Sequence, residues 1–403
     1  MRQILSIFLV STLLLFPNQA DAHEPNHSYI FLKIYESQII GRLEIQALDL
    51  NRELQLGMQE ELLKTELKAS ASEIRAYLSS VLSFTAGAQS YDLAFTEVSA
   101  LKLDDEADNV VIHFELSGLS KIPDNLTINY NAFFEKKSDH RGVLIIEHNW
   151  KAGIINNHLE VADIFTRNDV SKTLDLTDDS SWNGFVAMVK LGMWHIWIGL
   201  DHILFLVALI LPAVVRRRHS GLKVELIENG NTNWLPVAKF KPAFIYILGI
   251  VTSFTIAHSI TLAIAALGII DIPSKYVESI IAFSIALAAF HNIRPIFKAR
   301  EWVIAFAFGL FHGFGFASVL GEKGLAGEFI SLSLLGFNVG VEIGQVLIVA
   351  GIFPLLFLLR KLKAYPKLLT YGSVLLIIIS FHWVVERLFE IDIRLGRILD
   401  SIL

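Results

Sequence analysis

The feature that most constrains this chain is an apolar stretch, Leu191 to Pro212, that carries ionisable groups. It is long enough to cross a bilayer, because ~20 helical residues at ~1.5 Å rise cover a ~30 Å hydrocarbon core. Yet it contains His195, Asp201 and His202. An ionisable group at that depth costs ~2.5–3.5 kcal/mol on insertion scales, and such groups usually face a bundle interior that serves an ion, proton or substrate path. The stretch therefore predicts a membrane helix with a functional interior.

The composition agrees with a membrane protein. The 403 residues are 53% hydrophobic, with a mean hydropathy of +0.51. The formal charge of −6 argues against a nucleic-acid partner, which would require a basic face. The chain has no cysteine, which excludes disulfides, thiolate metal sites and iron–sulfur clusters. A metal site would therefore use histidine, carboxylate, amide or backbone ligands.

Residues 1–22 are predicted to be a secretory signal peptide. Arg2 provides the charged start, Ile4 to Phe16 the apolar run, and Ala20-Asp21-Ala22 the small-residue cleavage site. The alternative is an uncleaved anchor, although Pro17 and Asn18 interrupt the apolar run early.

Residues 23–182 are predicted to form an extracytoplasmic β-rich, β-sandwich-like domain with a helical insertion. The helix is expected over Arg52 to Ser83, where leucine and isoleucine recur at helical spacing. Strands are expected where β-branched and aromatic residues alternate between turns. These strands are Tyr29–Tyr35, Gly41–Gln46, Val110–Leu116, Leu126–Phe134 and Gly142–His148. The histidines of this domain are scattered and indicate no catalytic constellation.

Residues 183–403 are predicted to form an all-α domain of six transmembrane helices. The expected spans are 191–213, 243–267, 277–293, 302–320, 331–359 and 368–388. Lysine and arginine concentrate in the first, third and fifth loops, which places those loops in the cytoplasm and both termini outside. The signal peptide independently requires the same orientation.

Polar residues in these spans fall at overlapping depths, between the outer ends of the helices and the midplane of the bundle. We predict that they line a common metal-binding interior. The candidate ligands are His195, Asp201, His202, His258, Glu278, His312, Asn338, Glu342 and His382. The alternative for His312 and His382 is interhelical hydrogen bonding, and for Glu278 solvation at the surface.

Small residues indicate which helix faces pack. Gly336, Gly340 and Gly344 form a ridge on the fifth span, with Asn338 and Glu342 on roughly the opposite face. A second ridge is expected on the fourth span, at Ala305, Gly309, Gly313 and Ala317.

The spacing of the first motif restricts its geometry. On a regular helix His195 and His202 would share a face but stand ~10.5 Å apart. Metal–nitrogen bonds are ~2 Å, so the two cannot bind one ion on an unbroken helix. Either Gly199 marks a break, or the histidines serve successive sites. Asp201 would bind the ion directly or orient a ligating imidazole. Imidazole and carboxylate without sulfur suit Ni²⁺, Co²⁺ or Zn²⁺.

These motifs resemble the HupE/UreJ family of bacterial membrane proteins. The family's first-span signature, His-Pro-x-x-Gly-x-Asp-His, reads HIWIGLDH here, with Ile196 in place of proline. Three further segments resemble the longer branch, which has an extracytoplasmic domain. They are FTIAHSITL (Phe254–Leu262), FGLFHGFGFASVL (Phe308–Leu320) and FNVGVEIGQV (Phe337–Val346). The Asp-His-Ile and Ala-His-Ser elements are also similar to nickel/cobalt permeases. The resemblance implies nickel uptake linked to hydrogenase or urease maturation, in the bacterial inner membrane.

Three functions remain open from the sequence. The leading one is a non-enzymatic permease or accessory protein for a divalent metal, with Ni²⁺ the first candidate and a possible protein partner at the outer domain. The second is an intramembrane zinc hydrolase with Glu342 or Glu278 as general base. The third is an assembly or sensor subunit in which the polar groups only cement the bundle.

Overall fold

The structure is a computed structural model. It describes residues 27–56, 64–101, 109–155, 160–177, 180–217, 234–270, 272–297, 300–315 and 329–391. The predicted signal peptide lies outside these residues. The described chain forms two compact units. One comprises residues 27–147 and 160–177, and the other comprises residues 148–155 and 180–391.

The first unit is β-rich, as predicted. Within its described residues the elements are β1 (His27–Ile34), β2 (Ile39–Gln46), α1 (Ala47–Leu54), α2 (Lys64–Val81), β3 (Leu82–Ala86), β4 (Gln89–Leu101), β5 (Asn109–Ser117), β6 (Asn125–Tyr130), β7 (Arg141–Asn149), β8 (Glu160–Phe165) and β9 (Ser171–Asp175). The last two residues of β7 belong to the second unit. The helices α1 and α2 lie between β2 and β3, so the helical insertion is confirmed.

The strands are hydrogen-bonded in the order β8-β7-β1-β2-β5-β4-β3-β6-β9. The long strand β4 pairs with β3 at its start and with β5 from Asp92 onward. Alternating residues of β6 turn inward, so that Leu126, Ile128 and Tyr130 are buried. Burial of these residues on one face of β6 sets its register, because a slip by one residue would expose the apolar set.

Two local predictions in this unit are corrected. The strand expected over Leu126–Phe134 ends at Tyr130, because Phe133 has a positive φ of 67° that a strand cannot accommodate. The single helix expected from Arg52 to Ser83 is two helices, and Ser83 already belongs to β3.

The second unit is helical. Its described elements are α3 (Ser181–Ile198), α4 (Leu200–Ile210), β10 (Val215–Arg217), β11 (Trp234–Pro236), α5 (Phe240–Ala266), α6 (Ser274–Ile293), α7 (Glu301–Gly315), α8 (Ile330–Leu359) and α9 (Tyr365–Phe389). The strands β10 and β11 form a short hairpin next to the first basic loop.

Four helices of the described chain are long and apolar enough to cross a membrane: α5, α6, α8 and α9. The helices α3 and α4 qualify only as a pair, bent by 72° at Gly199. The helix α7 is apolar but shorter, and residues 316–320 of the span predicted over 302–320 lie outside the described residues. Of the six expected spans, four are confirmed as long apolar helices. The pair α3–α4 is broken and the described part of α7 is too short to qualify, so six spans are not confirmed.

The glycine ridges hold the helices close together. A side-chain carbon on Gly340 would collide with the Val189 carbonyl oxygen of α3, and one on Gly336 would lie 2.9 Å from the Phe185 carbonyl oxygen. A side-chain carbon on Gly309 of α7 would likewise lie 2.5 Å from the Phe254 carbonyl oxygen of α5. The predicted packing role of both ridges is confirmed for their described residues, because only glycine allows this approach of two backbones.

Candidate metal site

Three imidazoles from three helices converge inside the second unit. His195 lies on α3, His202 on α4 and His258 on α5, and one potential ligand atom from each lies within 4.8 Å of the other two. The ring centroids of His195 and His202 are 4.6 Å apart, and that of His258 is 6.5 Å from His202. We call these three residues the histidine cluster. The structure thus gathers residues that are far apart in the sequence.

The helix break at Gly199 makes this arrangement possible. The bend replaces the ~10.5 Å separation of an unbroken helix by neighbouring rings. A side-chain carbon on Gly199 would lie 2.6 Å from His202 Nδ1 and 2.8 Å from the His195 carbonyl oxygen. Glycine is therefore required here for space, since its φ of −74° is open to other residues.

Hydrogen bonds fix which nitrogen of His202 and His312 carries the proton. The Nδ1 atom of His202 lies 2.9 Å from Asp201 Oδ1, and Nδ1 of His312 lies 2.9 Å from the Phe308 carbonyl oxygen. An ionised carboxylate and a carbonyl only accept hydrogen bonds, so Nδ1 donates in both cases. The Nε2 atom of each neutral ring then has a free lone pair, which is the tautomer that binds metals.

Hydrogen bonds also set the tautomer of His258. Its Nδ1 lies 3.4 Å from Asn338 Oδ1, and the Asn338 amide nitrogen donates to the Leu334 carbonyl at 2.8 Å. Because the amide nitrogen is engaged, its oxygen faces the imidazole and accepts from Nδ1. Asn338 therefore orients His258 and is a positioning residue in this geometry.

The nitrogens that carry these lone pairs are buried. His202, His258 and His312 are 5%, 0% and 1% exposed, and their Nε2 atoms have no hydrogen-bond partner among the described residues. A buried polar atom without a partner costs ~1–3 kcal/mol. Such orphaned nitrogens are the expected signature of a ligand site.

The donor set fits a transition-metal ion. Tetrahedral ligands of one ion, each at ~2.1 Å, are ~3.4 Å apart. The ligand atoms of the histidine cluster lie within 4.8 Å of one another, so they need to approach by up to ~1.4 Å to bind one ion. Neutral imidazoles suit Zn²⁺, Ni²⁺ and Co²⁺ and disfavour Mg²⁺ or Ca²⁺.

His312 of α7 lies beside the cluster. Its ring centroid is 5.5 Å from that of His202, and it packs against Phe254 at 4.9 Å and Phe205 at 5.2 Å. Phe337 lies 5.4 Å from His195 on the other side. These phenyl rings keep the space apolar, which strengthens electrostatic and coordination bonds inside it.

Asp201 and Glu278 meet through an arginine. Arg387 of α9 places Nη2 3.7 Å from Asp201 Oδ2 and Nε 3.7 Å from Glu278 Oε2. Glu278 also accepts a hydrogen bond from Ser274 at 2.6 Å. Glu278 is thus joined to the site through Arg387 and not by contact with an imidazole. Our sequence reasoning did not single out Arg387, although an arginine inside the apolar sixth segment is a recognisable signal.

Two other candidates lie elsewhere. His382 Nε2 is 3.2 Å from Glu386 Oε1 on the same helix, and Glu342 accepts a hydrogen bond from Thr252 at 2.6 Å. Neither belongs to the group of ligand atoms that the structure brings together. The nine predicted residues therefore have different places in the structure. Three imidazoles converge, His312 lies beside them, and Asp201 and Asn338 orient two of them. Glu278 is joined through Arg387, and Glu342 and His382 have other partners.

The first unit contains its own buried polar group. His140 Nε2 lies 3.0 Å from Ser28 Oγ, which is 2.6 Å from the Tyr130 hydroxyl. Asp49 Oδ2 stands 4.0 Å from His140 Nδ1 and accepts from Lys137. Burial lowers the pKa of His140 to about 4, partly offset by Asp49. Ser28 is 0% exposed, so this hydroxyl–imidazole–carboxylate row is closed to a substrate and acts as a core network.

Comparison with known proteins agrees with the geometry. The family model described as HupE / UreJ protein matches residues 171–387, which is more than half of the 403-residue chain. The matched range contains the histidine cluster, His312, Asn338, Glu342 and Arg387. A search of curated proteins found no match.

Proposed function

The chain belongs to the HupE/UreJ family, and from this premise we propose that it is a membrane permease or accessory protein that passes a divalent transition metal through the histidine cluster. The family is linked to nickel or cobalt uptake or to accessory roles in metal handling. We take Ni²⁺ as the leading substrate, with Co²⁺ and Zn²⁺ as alternatives.

The observation that carries the proposal is the convergence of three imidazoles from separate helices. Their ligand atoms lie within 4.8 Å of one another, and Asp201 and Asn338 hold His202 and His258 in the ligating tautomer. A cluster that only cemented the bundle would pair its nitrogens with one another or with the backbone. Here the Nε2 atoms of His202, His258 and His312 lack a hydrogen-bond partner among the described residues.

Each group has a stated task in this proposal. The imidazoles replace part of the hydration shell of the entering ion, and Asp201 orients His202 while contributing negative charge. Arg387 balances that charge when the site holds no ion, since it lies between Asp201 and Glu278. The phenyl rings exclude water, so that the ion exchanges ligands with the protein and not with solvent.

The proposed topology follows the loop charges. Counting the broken pair α3–α4 and the short helix α7 as one span each gives six spans, with basic loops in the cytoplasm. The β-rich domain and the C-terminus then lie on the periplasmic side of the bacterial inner membrane. The outer domain would collect the ion or dock a protein partner, and residues 1–22 would direct export.

Uptake into proteoliposomes tests the function. Full-length protein should accumulate Ni²⁺ or Co²⁺ above empty vesicles, and His202→Ala should reduce both binding and uptake about 100-fold, because loss of a ligand removes coordination energy. His382→Ala is the matched control, since His382 pairs with Glu386 away from the cluster. Wild-type protein that neither binds nor moves these ions would overturn the proposal.

The hydrolase alternative requires a carboxylate positioned as a base at metal-bound water. In the described structure Glu278 bonds to Ser274 and Arg387, and neither Glu278 nor Glu342 belongs to the converging group of ligand atoms, which supports transport. Purified protein that retains Zn²⁺ but moves no ion would favour hydrolysis. Protein whose unfolding temperature does not change with Ni²⁺ or Zn²⁺ would favour an assembly or sensor role.

A further inference from the structure

A second polar group lies deeper in the same helix pair. On α5 it contains Thr252 and Thr255, and on α8 it contains Glu342 and Gln345. Thr252 donates a hydrogen bond to Glu342 Oε1 at 2.6 Å, and Thr255 donates to Gln345 Oε1 at 2.9 Å. We call these four residues the oxygen layer, because the groups that they present to one another are hydroxyl, carboxylate and amide oxygens.

The oxygen layer is in line with the histidine cluster. His258 is three residues after Thr255 on α5, and Asn338 is four residues before Glu342 on α8. Residues three and four apart share a helix face, so the pair His258–Asn338 and the oxygen layer lie on one seam between the two helices. At ~1.5 Å rise per residue, the nearest members of the two groups are separated by ~4.5–6 Å along the helix axes.

The two carboxylate oxygens of Glu342 have different environments. Its Oε2 atom is buried and has no hydrogen-bond partner among the described residues, whereas Oε1 is held by Thr252. Thr252 lies at the exposed edge of the seam, whereas Gln345 is buried at 1% exposure. An ionisable carboxylate held within a membrane helix pair is a functional site by default.

We propose that the oxygen layer is a second cation station, which receives the divalent ion from the histidine cluster on its way along the α5–α8 seam. This inference rests on the proposed function. Oxygen donors bind Ni²⁺, Co²⁺ and Zn²⁺ more weakly than imidazoles do. Conduction needs a site that binds strongly enough to admit the ion and a following site that releases it. The histidine cluster meets the first requirement, and the oxygen layer meets the second.

The test separates binding from movement. Full-length Glu342→Gln should bind Ni²⁺ with wild-type stoichiometry and with an affinity within about 3-fold, because the histidine cluster is intact, while its Ni²⁺ uptake into proteoliposomes falls about 10-fold or more. His202→Ala should lose both. Glu390→Gln, which alters an exposed carboxylate paired with Lys275, is the matched control and should leave both unchanged.

A second pair of variants guards against misfolding. Thr252→Val removes the hydroxyl that holds Glu342 and should reduce uptake about 3- to 10-fold, and Thr252→Ser should restore it. Thr370→Val is the control, because among the described residues its hydroxyl bonds only to the Pro366 carbonyl of its own helix. Uptake by Glu342→Gln and Thr252→Val at the wild-type rate would overturn the second station alone. Loss of Ni²⁺ binding in both would also overturn it, since the layer would then be part of the first site. Wild-type protein that neither binds nor moves Ni²⁺ or Co²⁺ overturns the proposed function and this proposal together.

Discussion

The carboxylate of Asp201 holds the imidazole of the next residue, His202, through a 2.9 Å contact between Oδ1 and Nδ1. Adjacent residues on a regular helix point in directions ~100° apart and do not make such a contact. The first turn of α4 after the break at Gly199 permits it. Asp201 therefore sets the tautomer of His202 directly after the bend in the backbone.

Asp201→Ala should weaken Ni²⁺ binding about 10- to 100-fold, which is the range for removing a carboxylate that orients a ligating histidine. Asp201→Asn should fall between the alanine variant and wild type, because the amide oxygen can accept the same hydrogen bond without the charge. Isothermal titration of purified full-length protein measures both. Equal affinities for wild type and Asp201→Ala would show that Asp201 does not support His202.

Gly199→Ala should also weaken Ni²⁺ binding about 10-fold or more, because its methyl group would meet His202 Nδ1 at 2.6 Å and push the two histidines apart. Gly249→Ala and Gly351→Ala are matched controls on α5 and α8, since an added methyl there meets nothing within 4 Å. Binding by Gly199→Ala at the level of these controls would contradict a steric requirement at the break.

Gly340→Ala should destabilise the bundle by about 1–3 kcal/mol, the usual cost of overpacking a close contact. The methyl group would collide with the Val189 carbonyl of α3, so α3 must move away from α8. Thermal unfolding monitored by tryptophan fluorescence detects the change, with Gly351→Ala as the reference. An unchanged unfolding temperature would mean that the ridge does not set the helix distance.

The β-rich unit should lose stability as the pH falls from 6.5 towards 4. Burial lowers the folded-state pKa of His140 to about 4, below the value of ~6.5 expected in the unfolded chain. The stabilising contribution is thus complete above pH 6.5 and declines as the unfolded state takes up the proton first. Hydrogen exchange of β1 and β7 peptides in the full-length protein measures this. His140→Gln should reduce the dependence in this range, and an identical profile in wild type and variant would exclude His140 as its source.

The features that could be predicted from the sequence depend on local periodicity and on the free-energy cost of ionisable residues in a membrane. The apolar segments, the packing glycines and the convergence of His195, His202 and His258 all follow from such rules. Gly199 was one of two explanations for the His195–His202 spacing, and the structure selects the break. This break forms with Ile196 at the position where the family signature has proline.

Other features depend on tertiary packing and could not be predicted. The strand expected to reach Phe134 stops at Tyr130, because Phe133 has a positive φ that a strand cannot accommodate. Depth alone grouped Glu342 and His382 with the histidines, whereas the partners that the structure shows are Thr252 for Glu342 and Glu386, on the same helix, for His382. Arg387 gains its role from contacts with Asp201 and Glu278, which are distant in sequence.

X-ray absorption at the nickel edge, on Ni²⁺-loaded full-length protein, tests the central claim most directly. We predict about three imidazole nitrogens at ~2.0–2.1 Å from the ion in wild type, and one fewer in His258→Ala. A spectrum with oxygen ligands alone, or an imidazole count that His258→Ala leaves unchanged, would contradict the binding of one ion by side chains from three helices.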